Sequence, residues 1–245
     1  LLWRIDGVNI PNPNHFGALG STGGPVSMLN NNLLTNSDFF TGAWPAEFGN
    51  SLSGVFDLNM RNGNNQQREY LFQIGFNGFE LGAEGPFVKS HQSSYLINYR
   101  NSTLDVMDKI GFEVAGGAVP KYQDLSFKVN IPTKKAGKFS LTGIMGNSSI
   151  FFDHRNDNDG TFANYSGSDT RNGSQMMTYS LHHLYFFNEK SRMESFLNFS
   201  ASGVSTTLDN YDYRLDSTAL INTGDSVWIA DKTMFYHENN NETRI

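Results

Sequence analysis

The sequence predicts an all-β protein whose larger part is an antiparallel sheet with one apolar and one polar face. Aromatic residues make up 13% of the 245 residues, and there are 24 glycines, a bias towards pleated strands and turns. From Glu69 onward, apolar and polar residues alternate along long segments, which is the period of two-faced strands. The connections between these segments are alternately short and long. Together these features favour a transmembrane β-barrel.

One segment illustrates the alternation best, because four apolar residues alternate with four polar residues without exception. These residues are Leu125, Phe127, Val129 and Ile131, and Asp124, Ser126, Lys128 and Asn130. The other predicted strands cover 69–76, 79–87, 94–100, 138–153, 175–188 and 192–213, with a further strand near 234–245. Between the first two, Asn77-Gly78 predicts a two-residue hairpin. Several strands exceed the roughly 9–11 residues that cross a bilayer.

Residues 1–62 have a different texture, rich in Gly, Asn and Pro, with short strand-like pieces at 1–5 and 54–60. We therefore predict a small α+β domain over 1–62 and a second domain over 63–245 with seven or eight strands. Both ends of the sequence resemble strand interiors, so we expect a part of a longer protein. The mean hydropathy of −0.43 and the lack of a long apolar run argue against a membrane helix but leave a barrel open.

Several kinds of chemistry find little support in the sequence. There is no Cys, which excludes disulfides, thiolate metal sites and a thiol nucleophile. The net charge is −6, and the largest basic cluster is Lys134-Lys135, so we expect no nucleic-acid partner. Arg155 would occupy the first ligand position of the one calcium-like loop, and a cation does not bind a cation. His182 and His183 would point to opposite faces of a strand. We predict no enzymatic activity, no cofactor and no metal.

Two stretches resemble the plug domain of TonB-dependent outer-membrane receptors. Ile5-Asp6-Gly7-Val8 is similar to a DG-type plug strand, and residues 42–55, GAWPAEFGNSLSGV, are similar to the motif that ends the plug in that family. The sequences GFEL at 78–81, EGP at 84–86 and VPKYQDL at 119–125 resemble the start of the barrel in the Bacteroidota branch. Sequence motifs support the resemblance over residues 1–135. Beyond residue 135, only the general pattern of alternating segments and connections supports it.

The resemblance implies a protein of the Gram-negative outer membrane, with a 22-stranded barrel when complete and a plug in its lumen. A lumen of that width needs a plug. The activity implied is import of a scarce ligand such as a siderophore, glycan or peptide. The implied partners are TonB, through an N-terminal box that lies outside this sequence, the lipid of the membrane and a surface lipoprotein.

Two sets of residues become candidate sites under this resemblance. The first is a ligand site at the plug apex, where side chains offer hydrogen bonds, a titratable ring and a stacking face. Its members are Asn12, Asn14, His15 and Phe16. The alternative is that this segment is a structural turn and Phe16 packs inside the plug. The second set consists of charges expected to pair between plug and barrel wall, namely Glu47, Arg61, Glu80, Glu84 and Arg100.

Three function classes remain open at the level of the sequence. The first is an active transporter, and the second is a non-transporting structural or secretion-associated barrel of the same fold. The third is a soluble secreted β-rich adhesin, which would need a second sheet to bury the apolar face of residues such as Tyr95, Ile97 and Phe127.

Overall fold

The computed structural model describes residues 1–18, 20–49, 51–75, 78–88, 92–104, 118–152, 168–215 and 228–244. The regular structure of these ranges is almost entirely β, which confirms the all-β prediction. The predicted α+β character of residues 1–62 is wrong for their described part, which contains a single 3-10 turn, Asn31–Leu33, and no α-helix. Frequent Gly, Asn and Pro in this segment oppose helix formation. In the described ranges, no helix is long and apolar enough to cross a membrane.

Residues 1–62 contain six short strands. They are β1 (Leu2–Ile5), β2 (Val8–Ile10), β3 (Asn14–His15), β4 (Val26–Ser27), β5 (Leu34–Phe40) and β6 (Val55–Met60). Four of them form a sheet in the order β2-β1-β6-β5, here called the small sheet, and β3 pairs with β4. β1 runs parallel to β6 and antiparallel to β2. The turn between β1 and β2 is Asp6-Gly7, and both residues have positive φ, 46° and 85°.

The remaining eight strands form one antiparallel sheet, here called the large sheet. They are β7 (Glu69–Gly75), β8 (Gly78–Pro86), β9 (Ser94–Asn101), β10 (Ala118–Pro132), β11 (Lys138–Phe152), β12 (Ser168–Asn188), β13 (Ser191–Leu215) and β14 (Trp228–Arg244). Each strand pairs with its neighbours in chain order, which makes the sheet a meander. The sequence placed the starts of β10, β12 and β14 too late, because their first residues lack a regular alternation of apolar and polar side chains. Only cross-strand pairing identifies them as strand.

The hairpin predicted at Asn77-Gly78 is shifted by one residue. The last pair of β7 and β8 is Gly75↔Gly78, so Gly78 belongs to β8. Asn77 lies outside the described residues. Gly78 has a φ of 144°, and a Cβ there would collide with the Asn101 carbonyl oxygen. Glycine is therefore needed at this position because β9 approaches closely, and not because the residue makes the turn.

The polarity of the large sheet is the reverse of that expected for a soluble protein. On β10, the polar residues Asp124, Ser126 and Lys128 are 3%, 2% and 8% exposed, whereas Ile131 on the other face is 44% exposed. Segment 1–62 covers the polar face. The opposite face, here called the apolar face, is open and carries many exposed large apolar side chains. Among them are Tyr70, Phe72, Ile74, Leu81, Ile97, Ile131, Leu141, Met177, Leu181 and Leu197.

A shared hydrophobic core joins segment 1–62 to the polar face. Ile5 and Leu58 of the small sheet belong to the same buried cluster as Leu96, Ile144 and Met176 of the large sheet. These last three are apolar exceptions on an otherwise polar face. They fix the place at which the small sheet sits, and polar contacts surround them.

Candidate functional site

The candidate site is the interface between segment 1–62 and the polar face of the large sheet. Three ion pairs or charge-assisted hydrogen-bond clusters lie in this interface, and each combines groups from the two sides.

The first cluster connects the turn of β1 and β2 to the middle of β10. Lys128 Nζ lies 2.9 Å from Asp6 Oδ2, with side chains 9% and 12% exposed. Thr142 Oγ1 donates to the same oxygen at 2.8 Å, and the Met60 backbone N–H donates to Asp6 Oδ1 at 3.0 Å. The Lys128 ammonium also donates to the Met60 carbonyl at 2.6 Å. Both buried charges are therefore paired and hydrogen-bonded, which is the condition for tolerating them away from water.

The second cluster centres on Asp124, whose side chain is 1% exposed. Arg100 Nε donates to Asp124 Oδ1 at 2.9 Å, and Arg100 also donates to the Ser27 carbonyl of segment 1–62 at 2.7 Å. His15 Nε2 lies 3.0 Å from Asp124 Oδ2, and the His15 side chain is fully buried. Gly146 faces this cluster, and a Cβ there would lie 3.0 Å from His15 Cε1. Glycine on β11 therefore makes room for the imidazole.

The third cluster lies where segment 1–62 passes into the large sheet. Arg61 donates from both terminal nitrogens to the two carboxylate oxygens of Glu84, each at 2.7 Å. The Asn64 backbone N–H donates to Glu84 as well, at 2.7 Å. The hydrogen bonds to Glu84 raise the pKa of Arg61 further above its usual value. Gly63 packs so closely on the Tyr95 backbone that a Cβ would collide with it, which holds this connection against β9.

The other predicted ion-pair residues have different partners. Glu80 accepts hydrogen bonds from the amides of Asn30 and Asn98, both at 2.7 Å, so its contact across the interface is with an amide. Glu47 lies 3.9 Å from Arg4 and is 62% exposed, so its ion pair is within its own segment and not across the interface.

The predicted ligand residues at the turn after β2 divide into two pairs. His15 and Phe16 face the large sheet: His15 contacts Asp124, and the Phe16 backbone N–H donates to Ser148 Oγ and Ser174 Oγ, both at 3.0 Å. His15 is therefore inaccessible to solvent, and its contact with Asp124 joins segment 1–62 to the large sheet. This geometry favours the structural alternative for His15, since no ligand could reach the ring without separating the two sheets.

Asn12 and Asn14 stabilise the loop itself. Asn12 Nδ2 donates to the carbonyls of Ser21 and Gly23, at 3.2 and 3.0 Å, and Asn14 Nδ2 donates to Asn12 Oδ1 at 2.6 Å. Asn14 is 8% exposed. Their amide groups are engaged in closing the loop between β3 and β4, which is a common role of Asn in turns.

Sequence reasoning missed Asp6, Lys128 and Asp124 as interface charges. A usable signal was present, because Asp124 and Lys128 occupy the polar positions of the most regular strand in the sequence. Asp6 lies in the DG turn that carries the family resemblance. What the sequence does not contain is the position at which the turn meets the strand, since Asp6 and Thr142 are separated by 136 residues.

The described part of the chain contains no candidate metal centre. No group of three or more His, Asp or Glu side chains there could hold a metal ion, and the calcium-like loop near Arg155 lies outside the described residues. His182 stacks on Phe196, whereas His183 stacks on Phe139 on the other face. No protein-family model matches the sequence, and no curated protein shows significant similarity to it.

Proposed function

We propose that this chain is part of a TonB-dependent outer-membrane transporter, with β7–β14 as consecutive strands of the barrel wall and residues 1–62 as part of the plug. The observation that carries the proposal is the reversed polarity of the large sheet. Polar side chains such as Asp124 and Lys128 are buried under segment 1–62. The open face exposes Phe72, Ile74 and Leu197 at 70%, 73% and 66%. Such a face is costly in water and favourable in lipid.

The extent of the apolar face fits a bilayer. On β10 it is bounded by two polar residues, Gln123 and Thr133, the latter directly after the strand. These bounds are about ten residues apart, or roughly 34 Å at ~3.4 Å per residue. A strand tilt of about 45° would reduce this to a height of roughly 24 Å. The apolar band of outer-membrane barrels is about 25 Å tall. The agreement supports a membrane-spanning wall whose strands continue beyond the membrane on the side of the long connections.

A row of carboxamides lies directly above the apolar band. One residue from each of six neighbouring strands occupies this row, and five of the six are Asn or Gln. The row consists of Asn101, Gln123, Asn147, Gln175, Gly203 and Asn241. The next row below is apolar from Leu125 to Met177. So sharp a change of polarity at one level across the sheet supports a membrane boundary there, because lipid headgroups favour hydrogen-bonding side chains.

The plug assignment rests on the polar character of the interface. Buried ion pairs contribute little net stability, although breaking one leaves a charge without a partner. An interface held by the Asp6–Lys128, His15–Asp124 and Arg61–Glu84 contacts can therefore be specific and still separate in a wet lumen, where water solvates the charges. The apolar surface exposed is that of the shared hydrophobic cluster. Separation of this kind is what energy transfer through TonB requires.

The membrane part of the proposal is tested by single-cysteine labelling, for which residues 1–245 contain no competing Cys. The intact protein carrying F127C or Q123C is spin-labelled in liposomes, and its collision rates with oxygen and with a water-soluble nickel chelate are compared. We expect F127C to favour oxygen and Q123C to favour the chelate. Preferential contact of F127C with the chelate, or a protein that stays monomeric without detergent, would instead support the soluble adhesin.

The transport part is tested separately with the intact protein and the purified C-terminal domain of TonB. A transporter should bind this domain, and ligand occupancy should change the affinity. A correctly inserted barrel with no measurable binding to TonB would support the non-transporting alternative.

A further inference from the structure

An apolar groove opens on the apolar face at the end with the short turns. It lies between the ends of β8 and β10 and has a volume of about 690 Å³. Its apolar lining residues include Phe87, Val88, Ile131 and Pro132. Phe87 and Val88 are 53% and 50% exposed. The groove is therefore open along the surface that the proposed function places in lipid.

Two lysines stand at the end of this groove. Lys134 and Lys135 are part of its lining and form the one pair of adjacent basic residues in a chain of net charge −6. Both side chains are exposed. The site thus combines an apolar channel along the sheet with two positive charges at its rim. This arrangement is complementary to one amphiphilic molecule with an anionic head group.

The turn that carries the lysines is held in place. Thr133 Oγ1 donates to the Gly137 carbonyl at 2.7 Å and accepts from the Ala136 backbone N–H at 3.0 Å. His183 Nε2 donates to the Ala136 carbonyl at 2.7 Å and thereby ties the turn to β12. Gly137 has a φ of 81°, a conformation that suits glycine. The ammonium groups therefore extend from a preorganised turn, which lowers the ordering cost of binding.

Aromatic residues mark this end of the sheet as a membrane interface. Phe87 and Tyr95 pack at 5.2 Å between ring centroids, and Phe139 stacks on His183 at 4.3 Å. Aromatic girdles of this kind lie at the level of lipid headgroups in outer-membrane barrels. The lysines lie just beyond the girdle, which is the level of lipid phosphates.

We propose that this groove binds an anionic glycerophospholipid of the leaflet that borders the short turns. Its acyl chain lies along Phe87, Val88 and Ile131, and its phosphate contacts Lys134 and Lys135. Lysine is well suited to a phosphate as a compact charge with three donors, and the exposed apolar channel excludes a hydrophilic anion as the full ligand. The inference rests on the proposed function, because a soluble protein would not meet this ligand at its apolar face.

Native mass spectrometry of the intact protein in dodecyl maltoside tests the site. Dioleoyl-phosphatidylglycerol is titrated against wild type, K134Q/K135Q and the matched control K190Q, which neutralises a lysine on another short turn. We expect wild type to hold one lipid more tightly than the rest. The double substitution should weaken that binding roughly 25-fold, at about fivefold per lysine near an anionic lipid, and K190Q should leave it unchanged. V88S should weaken it without altering the charge.

Further titrations separate the contribution of the lipid head group from that of the acyl chains. Dioleoyl-phosphatidylcholine should bind less tightly to wild type and respond little to K134Q/K135Q, and inorganic phosphate should not compete at equal concentration. Equal losses with K190Q and K134Q/K135Q, or equal affinity for the two lipids, would overturn the proposal. If the protein inserts into liposomes with F127C facing lipid and yet K134Q/K135Q binds phosphatidylglycerol normally, this inference fails and the proposed function stands.

Discussion

Arg61 and Glu84 form a bidentate ion pair at the junction between residues 1–62 and the large sheet. Both nitrogen–oxygen distances are 2.7 Å. The Glu84 side chain is 11% exposed and that of Arg61 36%. Parallel donors on a planar guanidinium match a carboxylate well, so the pair fixes the orientation of the connection as well as its charge balance.

Removing one partner of this pair should weaken docking of residues 1–62. Docking stability here means the free energy needed to separate residues 1–62 from the large sheet. We expect R61Q or E84Q to lower it by about 1–3 kcal/mol, because the remaining charge loses its partner. The double variant should cost less than the sum of the two singles. The force needed to extract residues 1–62 from the intact protein, reconstituted in liposomes, measures this effect. Strictly additive losses would mean that the two side chains do not interact.

Lys128 should be more sensitive than Arg61, because its side chain is 9% exposed and that of Arg61 is 36% exposed. We expect K128M to reduce the docking stability by about 3–5 kcal/mol, since Asp6 then keeps the hydrogen bonds of Thr142 and Met60 but loses its counter-charge. The variant K128M/D6N should recover part of the loss. The same extraction measurement applies, and a K128M protein with wild-type extraction force would contradict the cluster at Asp6.

We expect His15 to stabilise the packing of residues 1–62 on the large sheet and not to contact a ligand directly. We expect H15A to lower docking stability by about 1–3 kcal/mol, because it leaves a buried cavity and removes a partner of Asp124. Faster hydrogen exchange at residues 14–15 and 26–27 would report this change. H183A is the matched control, since that imidazole lies on the apolar face and is partly exposed. Reduced ligand affinity with unchanged exchange would instead support a ligand role for His15.

The apolar face predicts a strong depth dependence for charged substitutions. We expect F127R to destabilise the folded protein by about 2–4 kcal/mol near the bilayer midplane, and Q123R on the same strand and face by about 0–1 kcal/mol near its boundary. Equilibrium unfolding in liposomes measures both. Ser126 is unsuitable as a control, because it is 2% exposed beneath residues 1–62. Equal costs for F127R and Q123R would be inconsistent with the proposed membrane level.

The shifted pKa of Asp57 predicts that the stability of the small sheet depends on pH. Burial raises the pKa of this carboxyl above its usual 3.8, Arg4 at 3.8 Å opposes the rise, and Glu47 adds to it. A raised folded-state pKa means that the native state binds the proton more tightly than the unfolded state. The resulting stability is present at low pH and is lost as the pH rises through the raised pKa. We expect D57N to flatten this dependence and to slow small-sheet hydrogen exchange at pH 7 relative to wild type. Larger protection factors in wild type at pH 7 than at pH 4 would contradict the sign.

The sequence by itself determined the strands of the large sheet and the two faces of each. A period of two residues assigns Phe127 to one face and Lys128 to the other whatever the strand packs against, because successive side chains of a strand point in opposite directions. The sequence also placed Arg61 and Glu84 among the charges of the interface, although it left their partners open.

Tertiary structure decided which groups meet across the interface. His15 and Asp124 are separated by 109 residues, and their contact depends on where Ile5 and Leu58 seat the small sheet against Leu96. No local pattern encodes that position, because the polar face offers hydroxyls and charges at every second residue of several strands. The packing of a few apolar side chains selects one position, and that selection buries His15 and places Asp6 beside Lys128.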